Sequence, residues 1–270
     1  MNIKNHVIEG VTRVATAKKG GEITPKVIVM HFTAGWSTEG DIATLSVDER
    51  PASAHVVLSR EGVFTQIVPF NIKAWHAGPS KYREFDTGLN GHSIGIEISN
   101  IGYVQKLSGG RYRDEYGNTM GGEDYGPRNK KYTKVPVKEF VPFNHPRLGK
   151  GEYFWEPFYT AQIEALDGLV KALLKTYPTI KYIVSHEEID TRGWKTDPGP
   201  AFPMAHYQAL MKTPILVPRP PLKATLPANI PPVKTLPPAT EQQVAEAPNW
   251  WQRNSRYTVR LRNLILGDNR

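Results

Sequence analysis

Two histidines close two short runs of β-branched and apolar residues: His31 follows Lys26–Met30 (KVIVM) and His186 follows Lys181–Ser185 (KYIVS). Such runs read as buried strands, and a strand end presents a side chain to a cleft from a rigid base. A carboxylate, Asp197, follows His186 within GWKTDPGP. Two imidazoles and one carboxylate form a donor set that suits catalytic Zn2+, with three protein ligands leaving a fourth tetrahedral position for water. Each of the three also reads as an ordinary polar residue, and spacing alone leaves both readings open. Glu97 sits between Ile96 and Ile98 in Ser93–Ser99 (SIGIEIS). There it reads as a general base on a stiff strand or as a carboxylate on an exposed strand face. Lys195, just before Asp197, reads as an oxyanion partner or as a solvated lysine.

The elements around these residues alternate between strand and helix. Ser37 to Val47 reads as a helix with Ser37 as its N-cap. Ala54–Leu58 and Val63–Val68 read as a hairpin joined by Arg60-Glu61-Gly62. Ile163, Leu166, Leu169, Val170, Leu173 and Leu174 recur at helical spacing. They predict a helix from Pro157 to Tyr177, with Pro157 in its first turn and Tyr177-Pro178 closing it. This pattern predicts an α/β (α+β) domain with a single central mixed β-sheet flanked by helices. Residues 101–155 show no regular pattern and are rich in turn signals (GG, YGN, GGEDYGP, NHPRLGKGE), so they read as an insertion over or beside a cleft. Ten of the 23 prolines fall between Pro214 and Pro248, a composition that makes a semi-rigid linker. The reading is therefore a body at 1–213, a Pro-rich linker at 214–248 and a terminal segment at 249–270. No internal repeat is visible.

Five segments together resemble the type 2 N-acetylmuramoyl-L-alanine amidases, the family of AmpD-type recycling amidases, many phage lysins and the animal peptidoglycan recognition proteins. They are VIVMHFTAG (27–35), SAHVVLSREGVFTQIVPFNIKAWHAG (53–78), NGHSIGIEI (90–98), the helix ending in TYP (176–178) and SHEEIDTRGWKTDPGPAFP (185–203). The resemblance implies that His31, His186 and Asp197 bind Zn2+, that Glu97 is the general base and that Lys195 faces the developing oxyanion. It also implies that the segments carrying His55, Trp75, His76, Ala77 and Gly78 line a substrate groove. Trp194 stands where the AmpD branch commonly has an arginine, which bears on how the substrate is gripped. The implied reaction is hydrolysis of the amide between the lactyl group of MurNAc and L-Ala of peptidoglycan.

The chain has 270 residues, 39% hydrophobic and 22% charged, as a water-soluble globular protein has. It has no cysteine, which excludes disulfides, thiolate ligands and thiol nucleophiles. A net charge of +8 favours polyanions. No nucleic-acid-binding motif accompanies it, and no apolar run is long enough for a transmembrane segment. MNIKNHVIEGVTRVATAKKGG lacks the apolar core of a signal peptide, so the expectation is a chain made in the cytoplasm that reaches the periplasm or cell wall by release or delivery. Residues 249–270 carry five Arg and one Asp, with Trp250-Trp251 alongside. They read either as a tail for anionic envelope lipid or lipopolysaccharide, or as a segment packed on the body or on a second protomer. From these features the expected role is cell-wall lysis, as a phage endolysin or a delivered antibacterial effector. The alternatives are a cytosolic amidase recycling anhydro-muropeptides and a non-catalytic peptidoglycan-binding module.

Overall fold

The computed structural model describes residues 1–86, 88–121 and 137–211. After a short N-terminal ribbon the chain forms β1 (Thr12–Arg13), β2 (Val27–Phe32), α1 (Thr38–Ser46), β3 (Val56–Leu58), β4 (Phe64–Gln66) and β5 (Ser93–Ile98). It continues through β6 (Tyr103–Leu107), β7 (Arg111–Asp114), β8 (Thr119–Gly121), β9 (Val141–Pro142) and β10 (Tyr153–Trp155). It ends with α2 (Thr160–Thr176), β11 (Tyr182–Ser185), α3 (His186–Ile189) and α4 (Met204–Ala209). A separate ribbon pairs Lys19–Glu22 with Ile72–Ala74.

The central sheet has six strands in the order β11-β2-β5-β3-β4-β1. All neighbours are parallel except the β3–β4 hairpin, so the sheet is mixed and the fold is α+β, as the sequence pattern predicts. Side chains alternate between the faces of a strand. Ile28, Met30, Phe32, Ile94, Ile96 and Ile98 fall on one face and join a core with Ile163, Leu166, Leu169, Val170 and Leu173 of α2. His31 and Glu97 occupy the alternate positions and face the opposite way.

Three local readings shift. Strand β2 continues through His31 to Phe32, because its ladder with β5 holds to the His31–Glu97 and Phe32–Ile98 pairs. Helix α2 begins at Thr160, so Pro157 lies ahead of it. Its start is fixed by Gln162, whose Oε1 accepts the Tyr159 N–H at 3.1 Å while its Nε2 donates to the Ser99 carbonyl at 2.9 Å. Most of all, the insertion is an element in its own right. It carries an antiparallel five-stranded sheet, β8-β7-β6-β10-β9. These strands are two to five residues long, too short for their alternation to stand out from the turns between them. One face of the sheet packs Val104 and Tyr112 with Ile101, Val137, Phe140 and Trp36.

A buried ion pair holds the insertion to the central sheet. Arg60, just past β3, donates through Nε and Nη2 to the two carboxylate oxygens of Glu156 at 2.6 and 2.9 Å. The same guanidinium reaches the Gly35 carbonyl at 3.1 Å, and Glu156 also accepts the Ile101 N–H at 2.6 Å. Both side chains are at most 2% exposed. Removing one member of such a pair leaves the other charge buried without a partner.

Chain contacts separate two units, Met1–Pro232 and Val233–Arg270; all the elements above belong to the first. The linker and terminal segment expected at 214–270 lie outside the described residues. Among the described residues no helix is long and apolar enough to cross a membrane. Glu156→Ala is expected to lower unfolding stability by ~3–5 kcal/mol, read from the denaturant midpoint, and the double change Arg60→Leu with Glu156→Leu by less than that single change. Equal losses would show that the pair does not act as a unit.

Candidate active site

The register of the parallel strands assembles the site. His31 of β2 stands directly beside Glu97 of β5. On the other side of β2, Ser185 of β11 pairs with Met30, so the next residue, His186, emerges level with His31. Ser185 caps α3 by accepting the Glu188 N–H at 3.0 Å, which fixes where the strand stops and His186 begins the helix. The chain then turns around the Asp190 carboxylate, whose Oδ2 accepts the N–H groups of Trp194 and Lys195 at 3.0 and 3.1 Å. Asp197 returns to the start of α3, its carbonyl accepting the Glu187 N–H at 2.9 Å.

The result is a triangle of donor atoms. His31 Nδ1, His186 Nδ1 and Asp197 Oδ2 lie 2.9–3.0 Å from one another. The three residues are 1%, 3% and 5% exposed. These side chains form a group able to hold a metal ion.

A count of protons shows why a cation fits there. The Ser93 hydroxyl donates its one hydrogen to the Leu89 carbonyl at 2.6 Å. It must therefore accept from His76 Nε2, 3.1 Å away. Burial first, then the neighbouring His31 and His55, keep His76 well below its ordinary pKa, so its ring is neutral with a single N–H. With that proton on Nε2, His76 Nδ1 accepts, and the proton in its 3.0 Å contact with His31 comes from His31 Nε2. Burial, reinforced by His186, lowers His31 to about 4, so it too is neutral at pH 7. His31 Nδ1 is then bare. Its 3.0 Å contact with Asp197 Oδ2 sets lone pair against lone pair, an arrangement that a cation between them relieves. Burial alone would raise Asp197, but the pull of His186 and His31 outweighs it and holds the carboxyl well below its usual range, ionised.

Glu97 is 9% exposed on the same face. Burial, together with the Asp197 charge and against the opposing pull of Lys195, pushes its carboxyl well above the usual range. Lys195 is half-buried, and its Nζ lies 4.5 Å over the ring of Trp194, which is 48% exposed. The Arg192 guanidinium also lies over that indole, at 4.4 Å.

The segments assigned to a groove by resemblance divide. Trp75, Gly78 and Trp194 are exposed. His55, His76 and Ala77 are buried behind the metal-binding group. His55 uses both ring nitrogens on the backbone of Gly95 and Ile72, and His76 hydrogen-bonds His31. These three support the site from within the body.

Residues 21–200 match the family described as N-acetylmuramoyl-L-alanine amidase. The chain belongs to that family. Among curated relatives, it is 32% identical over 185 residues to N-acetylmuramoyl-L-alanine amidase AmiD of Escherichia coli (strain K12), a match covering 66% of this chain and 50% of AmiD. The chain thus spans about half the length of that relative. It is 29% identical over 206 residues to 1,6-anhydro-N-acetylmuramyl-L-alanine amidase AmpD of the same strain, covering 70% and 83%. Its fold is similar to that of a crystallised AmpD selenomethionine derivative, with a TM-score of 0.52 at 22% identity over 78% of this chain and 99% of the other.

Several residues that shape this site are not marked by any motif in the sequence. Asn90 Oδ1 accepts the N–H groups of His76 and Ala77 at 3.0 and 2.8 Å and so fixes the WHAG turn. Gly95 is required beneath it, because a Cβ there would collide with the His76 ring. Arg147, from the insertion, donates to the Lys195 carbonyl at 2.6 Å and the Glu187 carbonyl at 3.0 Å, bracing the loop between two of the metal-binding side chains. Ser93→Ala and His76→Phe are each expected to weaken Zn2+ binding by ~10–100-fold in a chelator competition, the usual effect of losing a partner that orients a ligand. Unchanged affinity in both variants would mean that the proton chain does not orient His31.

Proposed function

We propose that this chain is a zinc-dependent N-acetylmuramoyl-L-alanine amidase that cleaves the amide between the lactyl group of MurNAc and L-Ala, acting on soluble anhydro-muropeptides. The observation that carries this reading is the His31–His186–Asp197 triangle with Glu97 beside it in strand register. Two imidazoles and one carboxylate suit zinc among the divalent metals. Zinc supplies Lewis-acid polarisation of the scissile carbonyl and acidifies water. Glu97 takes the proton of the attacking water and hands it to the leaving amine. A nearly buried carboxylate with a raised pKa is a stronger base, suited to taking that proton and holding it until the amine departs. Lys195, held over Trp194 by a loop anchored on Asp190 and Arg147, meets the charge that develops on the carbonyl oxygen.

The presence of all three ligand residues, Glu97 and Lys195 supports an enzyme over a non-catalytic binding module. The relatives favour the recycling alternative over lysis: AmpD carries the 1,6-anhydro-muramyl substrate in its name. The expectation of an endolysin or effector leaned on the tail at 249–270, which lies outside the described residues. A recycling role places the enzyme in the cytoplasm and makes released peptidoglycan fragments its partners.

Purified protein is expected to bind one Zn2+ and to release a new L-Ala amine end from anhydro-N-acetylmuramyl-peptide. Activity on intact sacculi should be far lower. Efficient digestion of sacculi with little action on soluble fragments would reverse the choice between recycling and lysis. Glu97→Gln should keep its zinc while losing ~10²–10⁴-fold in kcat. Lys195→Met should lose ~10²-fold. Near-normal turnover by Glu97→Gln would remove it as the base.

A further inference from the structure

One face of the insertion's sheet packs on Trp36, and the other sets Trp155 into the main core beside Tyr103. That second face also carries Gln105 of β6, Arg113 of β7 and Tyr153 of β10, which the antiparallel register sets side by side with Tyr103. These residues line a cavity of about 260 Å³ that ends at Glu115, in the turn after β7. That turn is rigid. Asp114 accepts the Trp36 indole N–H at 3.2 Å, and it also accepts the backbone N–H groups of Tyr116 and Asn118 at 3.1 and 2.8 Å. Trp36 lies on the loop that leaves His31, so one hydrogen bond ties the turn to the metal-binding strand. Glu115 lies within electrostatic reach of Lys195 and Asp197, and desolvation pushes its carboxyl up to about 8. The Glu115 end of the cavity is the part within reach of those two residues.

We propose that this face is a saccharide subsite, which receives the sugar ring next to the muramoyl residue whose amide lies at Glu97 and Lys195. The proposal rests on the amidase reading above and extends it from the bond cut to the glycan bound. Its lining has the chemistry that recognises a pyranose. Tyr103 and Tyr153, in edge contact at 5.6 Å, offer ring surface and hydroxyls. Gln105 and Arg113 are joined at 2.6 Å into one planar hydrogen-bonding unit, and Glu115 adds acceptors. The volume lies below the ~300–1,000 Å³ of sites that enclose drug-sized ligands, and it suits one ring better than a stretch of peptide.

The test uses the zinc-loaded full chain and two soluble substrates with the same stem peptide: anhydro-N-acetylmuramoyl-peptide and its N-acetylglucosaminyl disaccharide. The wild type is expected to prefer the disaccharide in kcat/KM. Tyr153→Ala and Gln105→Ala should each lower the disaccharide-to-monosaccharide ratio about tenfold. Equal losses on both substrates, or an unchanged ratio in both variants, would overturn the subsite. So would a loss that depends on stem-peptide length, since that would assign the face to peptide. Equilibrium binding of the disaccharide dipeptide, compared between wild type and variants, separates the two levels of the reading. Binding weakened by the variants without any hydrolysis by the wild type would sink the amidase assignment and keep the sugar site.

Discussion

The hydroxyl proton of Ser93 points at the Leu89 carbonyl, and the orientation of His31 in the candidate metal site follows from that one bond. It forces His76 to donate through Nε2 and to accept at Nδ1, which commits the His31 proton to the rear of its ring. Burial makes the arrangement exclusive, since neither ring can take a second proton near neutral pH. What faces forward is a bare nitrogen held by a chain of buried hydrogen bonds. His186 has no such support: its Nε2 is buried without a hydrogen-bond partner among the described residues. Of the two histidines, His31 is thus the one the protein pre-orients.

The proton chain needs space as well as partners. His76 lies across β5, and that strand leaves room for it only at Gly95. The same strand presents Glu97 two residues on, on the same face. The SIGIE pattern is then a single spatial statement: hydroxyl anchor, gap for a ring, buried carboxylate, each one pleat apart, with isoleucines filling the helix-facing positions between them. A register slip of one residue would turn all three into the core.

The sequence made the central sheet legible because its strands are long enough for alternation to appear, as in Ile94, Ile96 and Ile98. The two histidines of the candidate metal site stand out for the same reason, one near the end of such a strand and the other just past one. The supporting residues do not. Ser93, Asn90, Asp190 and Arg147 act by pointing one polar atom at a distant backbone group, and no periodicity records that. The insertion was misread as irregular because two- to five-residue strands separated by glycine turns carry too few alternations to count. The groove residues divided because resemblance assigns segments, whereas burial is decided residue by residue: Trp75 and His76 are adjacent, and one is exposed while the other lies in the interior.

The Arg60–Glu156 pair has a consequence for how such a chain can change. Glu156 binds both the guanidinium and the Ile101 N–H, so the two ends of the excursion between residues 101 and 156 meet at one point. A loop whose ends are already pinned together gains or loses residues at little entropic cost, because that cost grows only as ~(3/2)RT ln n. Strand β5 and helix α2 on either side keep their positions whatever lies between. The excursion is in effect a replaceable cartridge. Related chains could exchange its outer part for a longer, shorter or differently lined one, altering what enters the cleft, as long as the replacement keeps the Arg147 brace on the Lys195 and Glu187 carbonyls.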